Sequence, residues 1–138
     1  MKATELMIGD IVYITPDKTG RVCTVNRSNT GSSFVLVKDE HYTHSLVSIT
    51  PIPLTTKILE KNGFKGEGYL ILELDEFSYL EYYPFEGRLR KIWHGIDEWN
   101  NHSDTKDITF QCHCKYVHEL QHALRLCGMN ELADNFKI

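Results

Sequence analysis

Tyr69-Leu70-Ile71-Leu72-Glu73-Leu74-Asp75 decides the fold of this chain. Leucine holds positions 70, 72 and 74 while 73 and 75 are acidic, so an extended backbone has one apolar and one charged face. Such a strand has one buried side and needs neighbours. Tyr79 to Tyr83, Arg88 to Trp93 and Ile108 to Cys114 supply three more β-rich runs, and Glu86-Gly87 is a hairpin turn between two of them. Asp97 to Lys106 is polar and reads as a loop. The centre of the chain is therefore expected to be a four-stranded antiparallel sheet.

Upstream, Pro51-Ile52-Pro53 forms an extended connector, because proline removes ladder donors and restricts its predecessor. A short helix is expected at 55–62, with Thr55 as N-cap and Leu54 packed on Leu59. Asn62-Gly63 ends it, and Phe64 sits where a Schellman turn wants an apolar contact. Before the connector, short apolar runs at Ile11–Ile14, Val22–Val25, Phe34–Val37 and Leu46–Ile49 alternate with turn signals such as Pro16-Asp17-Lys18-Thr19-Gly20. Gly9-Asp10 precedes the first run. Closely spaced short strands of this kind suit a small SH3-like β-barrel.

Downstream, Tyr116, Leu120, Ala123, Leu124 and Cys127 form an apolar stripe on a helix from 115 to 127. Gly128 stops it, Met129 is placed to touch Leu124, and a tail of ten residues follows. The expected architecture is α+β. An SH3-like β-barrel occupies 1–50, and an α+β module occupies 51–138: a helix, the antiparallel sheet and a C-terminal helix packed on it.

Composition narrows the function classes. The 138 residues are 41 % hydrophobic and 25 % charged, ordinary for a globular protein. A net charge of −4 argues against broad nucleic-acid or anionic-membrane binding. No run approaches the roughly 18–20 apolar residues of a membrane span, and the first ten residues carry no signal-peptide pattern. The cysteines, Cys23, Cys112, Cys114 and Cys127, then read as reduced thiols, and a cytoplasmic protein is expected.

One chemical motif stands out. His118-Glu119-Leu120-Gln121-His122 matches the helix signature of zinc proteases, in which two histidines bind zinc and the glutamate is general base. A catalytic zinc needs a third protein ligand. The extended form of the motif would place glycine at 125 and histidine at 128, but Arg125 and Gly128 stand there. Cys114 or Glu131 remains as the third ligand. A structural zinc site from Cys112, Cys114, His118 and His122 is chemically acceptable but matches no common spacing. The plainer reading makes Ile108, Phe110, Cys112 and Cys114 a core-facing stripe, with no metal or other cofactor bound.

Arg88, Arg90 and Lys91, beside Trp93 and His94, form a basic strand of the kind that binds phosphate backbones. A solvated sheet face paired with nearby carboxylates is the favoured alternative. Tyr79, Tyr82, Tyr83 and Phe85, with Trp93 and Trp99, make an aromatic-rich middle, and any exposed share of it would suit a protein partner.

Two segments carry a resemblance. Pro51-Ile52-Pro53-Leu54-Thr55 followed by Ile58-Leu59-Glu60-Lys61-Asn62-Gly63-Phe64, and Tyr116-Val117-His118-Glu119-Leu120-Gln121 ahead of an apolar helix, resemble a family of small proteins from gut anaerobes and their phages. That family has no established activity. Its form of the second segment is nearer Tyr-Val-His-Gln-Leu-Gln-Asn, which implies that Glu119 and His122 are local variants and that catalytic zinc is no family property. The resemblance also implies a prophage or mobile-element setting, with His118 and Gln121 structural and bonded to backbone near the helix start. The expected function is a non-catalytic interaction or assembly module with a protein partner. The alternatives are a zinc metallohydrolase using His118, His122, Glu119 and Cys114 or Glu131, and a nucleic-acid-binding module using Arg88, Arg90 and Lys91.

Overall fold

The computed structural model describes residues 5–26, 34–37, 43–45, 49–96 and 102–138. It is a mixed α and β structure with antiparallel sheets, and no described helix is long and apolar enough to cross a membrane. The chain divides into two compact units, Met1–Pro53 with Tyr116–Asn135, and Leu54–Lys115 with Phe136–Ile138.

In the first unit, β1 (Ile11–Thr15), β2 (Lys18–Asn26), β3 (Phe34–Val37) and β4 (Thr43–Ser45) pair antiparallel in the order β1-β2-β3-β4. The expected turn from Pro16 to Gly20 is shorter than its composition implies. Thr15 pairs with Lys18 and Tyr13 with Thr19, so only Pro16 and Asp17 turn and the next residues already belong to the ladder. On the other edge of β1, Tyr13 and Thr50 exchange both backbone bonds, at 3.0 and 3.1 Å. Of the expected strand Leu46–Ile49, residues 46–48 lie outside the described set. No closed barrel is found among the described residues.

The helix α2 (Val117–Leu126) belongs to this first unit, not with the central sheet as expected. Its buried side chains Val117, Leu120, Ala123 and Leu124 join Leu6, Ile11, Val12, Ile14, Val22, Ile49 and Ile52 in the core of that unit. No side chain caps its start. The backbone does so instead, Val117 N–H donating to Ile52 O at 2.9 Å. At its end Gly128 takes φ +79°, and Met129 N–H donates to Leu124 O at 2.8 Å, the Schellman arrangement. The tail is more than a tail. It forms α3 (Asn130–Asp134), whose Ala133 is fully buried. The amphipathic signal was too short to read at five residues, and burial of one alanine against α2 stands in for it.

In the second unit, α1 (Thr56–Lys61) starts with Ile58 N–H donating to Thr55 Oγ1 at 3.2 Å. It ends with Phe64 N–H on Leu59 O at 3.1 Å, and both of those side chains are buried. The strands β5 (Leu70–Glu73), β6 (Ser78–Tyr83), β7 (Arg88–Ile96) and β8 (His102–His113) form one antiparallel sheet in sequence order. Of the expected loop from Asp97 to Lys106, residues 97–101 lie outside the described set and 102–106 are strand. His94 pairs with Lys106 and Ile96 with His102, so backbone pairing carries polar residues into the ladder.

A bulge corrects the cysteine stripe. Lys91 pairs with Phe110 but Ile92 with Ile108, leaving Thr109 unmatched and reversing the facing of Ile108. Ile108 is consequently 52 % exposed, while Cys114 is 1 % exposed.

Candidate functional site

Gln121 fixes α2 to the start of β1. It is fully buried; its Oε1 accepts from Ile11 N–H at 2.9 Å, and its Nε2 donates to Gly9 O at 3.0 Å and Ala133 O at 2.9 Å. The partners are thus backbone of Gly9, of Ile11 in β1 and of Ala133 in α3, not of the helix start. Gly9 is favoured chiefly by its backbone conformation. Its φ is +94°, and a Cβ there would lie 2.9 Å from Arg125 Nη2.

Asp10, also fully buried, is the next link. Its Oδ2 accepts from Met7 N–H at 2.7 Å and from His122 Nε2 at 2.7 Å, while its Oδ1 accepts from Arg125 Nη1 at 2.9 Å. Donation to a carboxylate requires the proton on His122 Nε2. Arg125 Nη2 also lies 3.7 Å from Asp134 on α3. A buried carboxylate is tolerable here because a guanidinium, an imidazole and an amide all face it.

His118 lies one turn before His122. The two rings meet edge to face with centroids 5.7 Å apart, and Tyr116 stacks on the other side of His118 at 6.1 Å. Only 6 % of His118 is exposed, and its enclosed Nδ1 has no hydrogen-bond partner. Burial holds the imidazole below its ordinary pKa; Asp10, Glu119 and Glu5 pull it back up, and His122 pushes it further down. Glu5, Pro51, Tyr116, His118, Glu119 and His122 together line a cavity of about 420 Å³.

The motif residues His118, Glu119 and His122 therefore do meet at one cavity. Zinc chemistry asks for more. Among the described residues no group of three or more His, Cys, Asp and Glu side chains is placed to hold a metal ion. His122 Nε2 is committed to Asp10, Glu131 is exposed on α3, and Cys114 Sγ lies 3.5 Å from that of Cys112. A catalytic zinc would need a third protein ligand and the ring nitrogens of both histidines, and His122 Nε2 is already bonded.

The basic strand is divided by its pleat. Arg88 pairs with Tyr83 and Arg90 with Glu81, whereas Lys91 pairs with Leu80 on the opposite face. Both guanidinium groups lie over the Tyr83 ring, at 4.9 and 5.7 Å, and Tyr69 stacks on Tyr83 at 5.5 Å. Arg88 also pairs with Glu86 at 2.9 Å. Trp99 lies outside the described residues.

Asp10 and Arg125 are the site residues that sequence reasoning missed. One signal for Arg125 was present: 118, 121, 122 and 125 form a polar stripe at helical spacing, opposite the apolar one. No local pattern joins that stripe to Asp10. In comparisons with known proteins, no family profile, curated protein or solved structure matches the chain.

Proposed function

We propose that this protein is a non-catalytic interaction or assembly module, in the phage or mobile-element setting that the family resemblance implies. One observation carries the reading. Two polar residues of the zinc-protease-like motif are used inside the fold, Gln121 on three backbone groups and His122 on the buried Asp10. A helix so engaged is an architectural piece, and its neighbour cavity and the exposed strand faces are left for partners. An SH3-like barrel for the first unit belongs to the same proposal. Its support is the sequential order β1-β2-β3-β4 and the return of the chain at Thr50 to the free edge of β1.

The test is elemental analysis of protein purified without a metal-binding tag and then supplied with zinc, beside His122→Ala. The proposal expects no stoichiometric zinc in either, and no peptidase or amidase turnover. Stoichiometric zinc that disappears in His122→Ala, together with turnover, would replace it with the metallohydrolase reading.

A second reading, nucleic-acid binding, is favoured by Arg88 and Arg90 flanking the stacked Tyr83 and Tyr69. It expects single-stranded DNA to raise fluorescence anisotropy with an affinity that falls steeply with salt, and Arg90→Gln to weaken it. Binding that is absent at low salt sinks this reading.

A further inference from the structure

Two thiols meet at the end of β8. The sulfurs of Cys112 and Cys114 are 3.5 Å apart. Like-facing neighbours in a strand have Cα atoms roughly 6.6 Å apart, so sulfurs this close belong to side chains turned toward each other. That Cα separation also lies within the span a disulfide bridges, about 4.4–6.8 Å. Forming the bond brings the sulfurs in from 3.5 Å to about 2.0 Å, a distance that rotation about the two Cα–Cβ bonds covers.

The two thiols differ in access. In the sheet order β5-β6-β7-β8 the strand β8 is outermost, and Cys112, opposite the buried Leu89, is half-buried at that edge. Cys114 is 1 % exposed. Its backbone is pinned twice, the N–H donating to Gly87 O at 2.6 Å and the carbonyl accepting from Tyr82 Oη at 2.7 Å. An accessible thiol touching a fixed, sheltered one suits oxidation of the first sulfur and its resolution by the second. Two sulfurs alone make a poor metal site, and no third His, Cys, Asp or Glu side chain joins them among the described residues.

We propose that Cys112 and Cys114 form a reversible redox site whose oxidant is a hydroperoxide. The Cys112 thiolate attacks one peroxide oxygen; the O–O bond breaks, and the other oxygen leaves with a proton as water or an alcohol. The Cys114 sulfur then attacks the sulfur of the Cys112 sulfenic acid. The S–S bond forms, the S–O bond breaks, and the hydroxyl leaves as water with the Cys114 proton. Two thiols and one hydroperoxide give one disulfide, one alcohol or water, and one further water, with two electrons passing from sulfur to oxygen. A ring closed over the single residue His113 is small and strained, so an ordinary thiol pool reopens it. This site goes beyond the interaction-module reading and does not depend on it.

The experiment is a peptide map. Trypsin cuts after Lys106 and Lys115, so residues 107–115 carry Cys112 and Cys114 on one peptide, apart from Cys23 and Cys127. Folded protein receives one equivalent of hydrogen peroxide, is blocked with iodoacetamide and is digested. The expected peptide is unalkylated and lighter by about two mass units, the two thiol hydrogens, and glutathione given before blocking restores the doubly alkylated form. Cys114→Ala is expected to hold the intermediate, trapped as a dimedone adduct on Cys112. Cys112→Ser is expected to slow oxidation of Cys114 about tenfold, since reaction follows exposure. The map of the parent protein decides the matter should either variant fold poorly. A peptide alkylated at both cysteines after peroxide, one carrying only sulfinic or sulfonic acid, or one linked to Cys23 or Cys127 overturns the proposal.

Discussion

Asp10 ties the approach to β1 to α2. It is fully buried, and its two oxygens answer Met7 N–H, His122 and Arg125. Asp10→Ala would leave a guanidinium 13 % exposed without its counter-charge, and breaking a buried pair from one side costs about 3–5 kcal/mol. Urea unfolding measures it; a loss below about 1 kcal/mol would mean the pair behaves as an exposed one. His118 makes a prediction in pH. Its folded pKa is lowered, chiefly by burial, with Asp10 and Glu5 facing it from the approach to β1 and Glu119 and His122 from its own helix. Below about pH 6.5 the unfolded chain takes up a proton that the folded imidazole resists. The contribution is therefore complete above that pH and is lost as pH falls toward the folded value. The urea midpoint should drop between pH 7.5 and 5.5 by less in His118→Gln than in the parent protein, and an equal or larger drop in the variant contradicts the assignment. At this scale the sequence showed the histidines, because a motif with fixed spacing is local. Asp10 was not legible as their partner, since 112 residues separate it from His122.

Secondary elements were legible where their determinants are local. Thr55, Gly63 and Phe64 bracket α1 with a side-chain cap and a Schellman turn, each a matter of neighbouring residues. Thr55→Ala should accordingly destabilise by about 1 kcal/mol in thermal unfolding. No measurable change would mean that α1 is held by Leu59 and Phe64 burial alone. Gly128 gave the end of α2 for the same reason. The start of α2 is another matter, because its first N–H, that of Val117, is met by Ile52 O across the chain rather than by a Tyr116 side chain. The polar stretch before Asp107 shows the opposite limit. Its residues lack strand propensity, yet β7 supplies pairing partners for both His102 and Lys106, with a register shift between them. Pairing overrode composition there. The unmatched Thr109 then turned Ile108 outward, which a strict two-residue alternation had no way to show.

At the scale of the molecule the sequence placed a boundary at residue 50, with the C-terminal helix assigned to the sheet beyond it. The first unit instead ends its leading segment at Pro53 and is completed by Tyr116–Asn135. Proline punctuation marks where a chain bends; it carries no information about which distant segment fills a core. Val117, Leu120, Ala123, Leu124 and Ala133 are all buried in that unit, and Gln121 and His122 supply bonds to Ile11 N–H and Asp10. A fragment of residues 1–53 therefore loses five buried apolar side chains and the partners of two buried polar groups at once. Each lost large apolar contact costs on the order of 2 kcal/mol, against a total stability of roughly 5–15 kcal/mol for a domain. The fragment should give a collapsed amide spectrum with no cooperative melting. Joining 116–135 to it through a flexible Gly/Ser linker should restore both, because every missing partner returns with that segment. If residues 1–53 alone melt cooperatively with a dispersed spectrum, α2 is an accessory to a self-sufficient sheet. If the linked version stays unfolded as well, the first unit draws its stability from beyond its own core.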